Sequence, residues 1–186
     1  MKHEISYDKF WSLFPFRPVS KEQVEAINFI IRKLNVSPKF MLDKEYAYIM
    51  ATIKHECGDS YLPQPEWTDA PWLKGKNLPY LIPDKQTGHT YYGRGYVQLT
   101  WRRNYEKMSK ELGIDLVWNP DLALDPEIAW KILEVGMYNG LFTGKRLGEY
   151  LSSNNTDFYG ARRVINGVDQ AFEIKKIAEK FWDAIK

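Results

Sequence analysis

Helical periodicity runs on both sides of residues 57–95 of this chain and stops within them. Six prolines or glycines fall between Gly58 and Pro79, among Tyr61, Trp67 and Trp72, with Tyr80 just beyond. Loops longer than about 15 residues inside a compact domain usually carry function. Aromatic residues make up 15% of the 186, more than a core of this size requires. The surplus points to flat faces on which a ligand such as a sugar ring can stack.

Around this loop region the pattern is helical. Residues 21–34 carry apolar Val24, Ile27, Phe29, Ile30, Ile31 and Leu34, with Ser20 placed as N-cap. Asp43 is expected to cap a second helix with the stripe Tyr46, Ile49, Met50 and Ile53, which Gly58 stops. Further helices are expected over 105–112, over 126–138 with Asp125 as cap and Pro126 first, and over 157–165. The last, 170–185, has the stripe Ile174, Ile177, Ala178, Phe181 and Ile185. In 91–100, Gly93 and Gly95 argue for bends in place of a regular strand. The fold class is therefore mainly α, about six helices around one aromatic-lined cleft. With no repeat, low-complexity run or linker, 1–186 reads as a single domain without a separate wall-binding domain.

Composition removes several functions. The charge balance, 26 − 24 = +2, is too even for a protein that binds by neutralising phosphates, so nucleic acid is not an expected partner. A single cysteine, Cys57, excludes an internal disulfide and a multi-cysteine metal site. No stretch approaches the roughly 20 apolar residues of a membrane span. Residues 1–9 are polar and lack the apolar core of a signal peptide, so synthesis in the cytoplasm is expected, with delivery elsewhere left to other machinery.

The chemistry-bearing residues fall in two places. Glu56 lies three positions after Ile53 and extends a core-facing stripe. Partial desolvation of a carboxyl there would keep a proton available near neutral pH, as a general acid requires. Glu66, ten residues on, stands in the stiff Pro63-Gln64-Pro65-Glu66-Trp67 run, with Trp67 as a candidate cleft wall. Two such carboxylates are the minimum equipment for glycoside hydrolysis, and Asp59 and Asp69 compete for the second role. His55 has no second histidine four residues later, so it is not a zinc motif, and no metal or cofactor is expected. Glycines flanking Arg94 allow close backbone approach, so Tyr92 and Arg94 are candidate substrate contacts, and Gln98, Thr100 and Asn104 suit the hydroxyls and acetamido groups of an amino sugar. Thr100 and Asn104 are four apart and would share a helix face if Thr100 opened that helix.

Together these segments resemble family 19 of the glycoside hydrolases, the chitinase class that also holds phage endolysin-like and bacterial peptidoglycan-cleaving members. The resemblance is to the compact bacterial and phage branch. It runs through Lys54-His55-Glu56, the Tyr92-Gly93-Arg94-Gly95 block up to Thr100, Asn119-Pro120-Asp121, and Ala161-Arg162-Arg163 to Asn166-Gly167. It implies a lysozyme-like helical fold with two lobes and a saccharide cleft. It also implies inverting cleavage of β-1,4 bonds beside N-acetylated amino sugars, without a cofactor. By position Glu56 matches the general acid, and Glu66 is carried over as general base. Thr100 stands where the family has a Ser that helps hold the attacking water. Asn104 and Asn166 match substrate-contacting asparagines, and Gln98 a cleft residue. Departures are Cys57 where the family has Thr after His-Glu, Gly58-Asp59 for a glycine pair, and the missing disulfides and loops of plant members.

The resulting expectation is a monomeric endolysin or muramidase acting on peptidoglycan, released by a holin or a secretion machine. Chitin is the alternative substrate. An inactive saccharide-binding module and a lytic transglycosylase are the rivals in mechanism.

Overall fold

The structure, a computed structural model, describes residues 4–16, 19–70 and 76–185, so Trp72 lies outside the described residues. Six α-helices are present among them: α1 (Tyr7–Leu13), α2 (Lys21–Val36), α3 (Asp43–Cys57), α4 (Arg102–Leu112), α5 (Pro126–Asn139) and α6 (Ala171–Ile185). Two antiparallel pairs of short strands accompany them, β1 (Gln64–Pro65) with β2 (Arg94–Gly95) and β3 (Leu151–Ser152) with β4 (Asn155–Thr156). The class is mainly α, as the periodicity requires. No described helix is long and apolar enough to cross a membrane. The chain divides into two compact units, Met1–Tyr61 with Glu134–Lys186, and Leu62–Leu133.

The first unit is built on α3. Tyr46 through Ile53 are all fully buried, and a helix apolar on every side can only be an interior one. Helix α6 packs along it and buries Ile174, Ala178 and Phe181 of the stripe read from the sequence. The Phe181 ring stacks on Phe10 of α1 at 6.4 Å, and Phe158 stacks on Tyr48 at 6.3 Å. Such pairs add about 0.5–1.5 kcal/mol beyond the area they bury.

Helix ends follow local chemistry, with three departures from expectation. Ser20 caps α2 reciprocally with Gln23, and Asp125 Oδ1 accepts the amides of Glu127 and Ile128 at 2.9 and 3.0 Å. Asp43, however, is the first residue of α3 and not its cap. Leu42 stands at the cap position, and the Glu45 carboxylate reaches back to accept the amides of Met41 and Leu42 at 2.9 and 3.0 Å. Helix α4 starts at Arg102, three residues earlier than expected, because Arg102 pairs with Asp84 and with Glu106 and so anchors the first turn. The expected helix over 157–165 is only a 3-10 turn, Gly160–Val164. Asp157 takes the Gly160 amide at 2.7 Å, and Asn166-Gly167 follows before a longer ladder can propagate.

The second unit has little regular structure and depends on short pairings. Strand β1 meets β2 in the register Gln64↔Gly95 and Pro65↔Arg94, and a bridge between Arg94 and Leu99 closes the turn that follows. Gly95 has φ +86°, and a Cβ there would stand 2.7 Å from the carbonyl oxygen of Ala123. Gly95→Ala therefore combines backbone strain with a clash against main chain. We expect it to cost at least about 1–3 kcal/mol in urea unfolding. An unchanged midpoint would mean that the 120–124 turn yields freely.

Candidate active site

In the second unit the polar residues gather at one backbone position. Glu66 leaves β1 with its amide bonded to the Gly93 carbonyl at 2.7 Å. Its carboxylate turns back on the same residue: Oε2 accepts the Gly93 amide at 3.0 Å, and Oε1 accepts the Tyr80 hydroxyl at 3.0 Å. Burial first, and then Glu66 itself, push the Tyr80 phenol up to about 12, so it stays a proton donor. Gly93 has no room for a side chain, since a Cβ would lie 2.7 Å from Gln98 Oε1 and 3.2 Å from Thr100 Oγ1. Glu66, Gln98 and Thr100 thus converge on Gly93.

Gln98, Thr100 and Asn104 are each oriented by a backbone carbonyl. Gln98, in the left-handed region at φ +50°, donates Nε2 to the Gln64 carbonyl at 2.9 Å. Thr100 Oγ1 donates to the Gln98 carbonyl at 2.8 Å. Asn104 Nδ2 donates to the Thr100 carbonyl at 2.7 Å. That bond replaces the shared helix face read from the spacing. Thr100 lies outside α4, and Trp101 at φ +73° breaks the path between them. Trp67 is 61% exposed, and Trp101 sets its ring edge-on to Tyr80 at 5.1 Å.

Arg94 is buried and has a structural task. Its Nε donates to Asp121 at 2.7 Å, and Nη1 donates to the Thr90 and Tyr92 carbonyls and the Tyr105 hydroxyl. The guanidinium lies 3.6 Å from the centre of the Tyr92 ring, a cation–π contact.

In the first unit, Glu56 occupies the last turn of α3 with its side chain 15% exposed. Arg162 Nη1 donates to its Oε1 at 2.6 Å, and Arg162 Nε donates to the Asp169 carbonyl at 3.1 Å. Tyr48 and Thr52, eight and four residues before Glu56 on the same face of α3, both bury their hydroxyls, and the two interact. Burial drives the Tyr48 phenol upward. Asn166 is exposed one turn beyond Arg162, donating its amide to the Arg162 carbonyl at 3.0 Å. Of the competing acids, Asp59 pairs with Lys54 in this unit, and Asp69 is exposed in the other.

Sequence reasoning missed two partners. Arg162 interrupts the apolar surroundings of Ala161 and Val164, a signal that some buried acceptor exists, but nothing local names Glu56. Tyr80 reads as one more loop aromatic, and its bond to Glu66 has no signature in the spacing.

Residues 79–136 match the family described as chitinase class I. A basic endochitinase from Vitis vinifera is 35% identical over 99 residues, 47% of this chain and 31% of that protein. The chain spans about a third or less of the length of the curated relatives it matches. Chitinase C from Streptomyces griseus HUT6037 shares the fold with a TM-score of 0.60 over 97% of this chain and 76% of that one, at 22% identity. A class IV chitinase of glycoside hydrolase family 19 from Zea mays gives 0.55 over 95% and 90%, at 16% identity. The matched segment contains Tyr92, Arg94, Gln98, Thr100 and Asn104, while Glu56, Glu66 and Asn166 lie outside it. On that segment the chain resembles the chitinase class I family, and over nearly its whole length it shares the fold of these solved chitinases.

Proposed function

We propose that the protein is a glycosidase that cleaves β-1,4 bonds beside N-acetylated amino sugars, with Glu56 as general acid and Glu66 as general base. The observation that carries this reading is the convergence of Glu66, Gln98 and Thr100 on Gly93. A carboxylate held by two neutral donors stands there with a hydroxyl and an amide already oriented. In an inverting cleavage, the acid protonates the leaving oxygen while the base takes a proton from water attacking the opposite face of the sugar. Because Thr100 spends its proton on the Gln98 carbonyl, its oxygen offers lone pairs, the right polarity to hold that water. Gln98 commits Nε2 to protein carbonyls and keeps Oε1 for a sugar N–H or O–H. On Glu56, Arg162 holds Oε1, so the proton for the leaving oxygen comes from Oε2. Trp67, Asn104 and Asn166 complete the proposed sugar contacts of this face.

We take peptidoglycan as the polymer, on the single cysteine and the absence of plant-type loops. The names of the relatives favour chitin as the second reading. Digesting both polymers side by side, with mass analysis of the fragments, decides between them. Water attack leaves reducing ends, and proton NMR of fresh product should show the α-anomer first. Mainly 1,6-anhydro ends would overturn the two-carboxylate mechanism.

Glu56→Gln should lower turnover by about 10²–10⁴-fold with folding intact. A variant that keeps more than half of the activity would remove Glu56 from the acid role. The Arg162–Glu56 pair generates a separate expectation. Arg162→Met leaves a largely buried carboxylate without its cation and should destabilise the fold by about 3 kcal/mol in chemical denaturation. Adding Glu56→Gln should recover part of that loss, and an additive double variant would show that the two side chains are not coupled.

A further inference from the structure

The strand segment that carries Gly93 has a second face. Successive side chains of an extended segment point to opposite sides. At Gly93 one side meets Glu66, Gln98 and Thr100, whereas Tyr92 and Arg94 project together from the other, stacked at 3.6 Å. That other face lines an open cavity of about 640 Å³, bounded by residues 88–90, 118–122 and Asp125 of the same unit. The volume lies within the roughly 300–1,000 Å³ of small-ligand sites.

Three observations define what would fit. Trp118 is 51% exposed at the wall, where an indole offers a broad apolar face. Arg94 contributes a guanidinium whose side chain is only 4% exposed. Its Nε and Nη1 are engaged, and Nη2 has no hydrogen-bond partner among the described residues. The charge is already balanced, because Asp121 pairs with Arg94 at 2.7 Å and Asp125 lies on the same wall. An anion would meet two carboxylates for one guanidinium and is disfavoured. A neutral acceptor, such as an amide carbonyl, can use Nη2 without paying that repulsion.

We propose that this cavity is a second saccharide-binding site, separate from the face that holds Glu66. It takes an N-acetylated amino-sugar unit, with the ring on Trp118 and the acetamido carbonyl on Arg94 Nη2. The proposal rests on the glycan-cleaving reading and extends it: a chain bound here is held by the enzyme without being cut.

The test uses insoluble chitin, peptidoglycan sacculi and chitosan, the deacetylated polymer. Glu56→Gln protein serves as the non-digesting parent and is compared with Glu56→Gln/Trp118→Ala. Affinity for the N-acetylated polymer should fall about 2- to 10-fold on loss of the indole, with Trp118→Phe restoring part of it and binding to chitosan unaffected. In the active enzyme, Trp118→Ala should leave cleavage of short soluble oligosaccharides and the melting temperature unchanged. Unchanged polymer affinity, or an equal fall on chitosan, would overturn the proposal. So would a parallel loss of oligosaccharide cleavage, which would make Trp118 part of the cutting site. The glycan reading itself fails by a different result, an otherwise folded enzyme that cleaves neither polymer.

Discussion

The hydrogen bond from the Gly93 amide to the Glu66 carboxylate organises the second unit. A main-chain donor cannot rotate away, so the carboxylate it holds inherits the position of the backbone. That position is fixed in turn by the register of β1 against β2, Gln64 to Gly95 and Pro65 to Arg94. A slip of one residue would turn Tyr92 and Arg94 towards Glu66 and send the Gly93 face to the cavity. The two glycines permit this arrangement for different reasons. Gly93 vacates the volume that Gln98 and Thr100 fill, and Gly95 adopts a left-handed turn against the Ala123 carbonyl.

Glu56 is held by a contrasting device. It stands at the end of the most buried helix of the first unit, and a guanidinium reaches it from a segment 106 residues later. The cation that meets it is itself only 5% exposed, so the pair is worth more as a constraint on geometry than as a source of net stability. One carboxylate is thus oriented by neutral donors in a loop-rich unit, the other by a cation against a helical core. Tyr48 and Thr52 add buried hydroxyls along the same face of α3. They are a polar seam leading to Glu56 through an otherwise apolar interior.

What was legible in the sequence was periodic or local. The stripes of α2, α3 and α6 and the caps Ser20 and Asp125 depend on neighbours three or four residues away, and they appear as read. Misreadings arose where two local signals competed. Asp43 looks like a cap, but the helix starts one residue earlier than that implies, and Glu45, in its first turn, reaches back to the amides of Met41 and Leu42. The spacing of Thr100 and Asn104 suggests a helix, yet Trp101 takes a left-handed conformation that tryptophan composition does not announce. The partners of the functional groups were out of reach altogether. Tyr80 and Glu66 are 14 residues apart, and Glu56 and Arg162 are 106. Neither pair lies on a single helix or strand, so no periodicity links its members.

The loop region can be both irregular and well placed because single polar side chains take the part that ladders play elsewhere. Asp84 Oδ1 collects the amides of Gln86 and Thr87 at 3.0 Å each, and its Oδ2 accepts Arg102 Nη1 at 3.0 Å. Those amides and the Arg102 charge hold the Asp84 carboxyl below its ordinary range, the Thr87 amide foremost. Arg102 also ties Gln86 and Glu106, so the first turn of α4 is bolted to the loop before Gly88. From there Tyr91 bonds to the Tyr80 carbonyl and Trp101 to the Tyr91 carbonyl, which brings the donor for Glu66 and the exposed indole to the same strand. An extended segment clamped this way at both ends can present different chemistry on its two sides. Polar groups face Glu66 on one side, and a neutralised guanidinium with aromatic walls lines the cavity on the other.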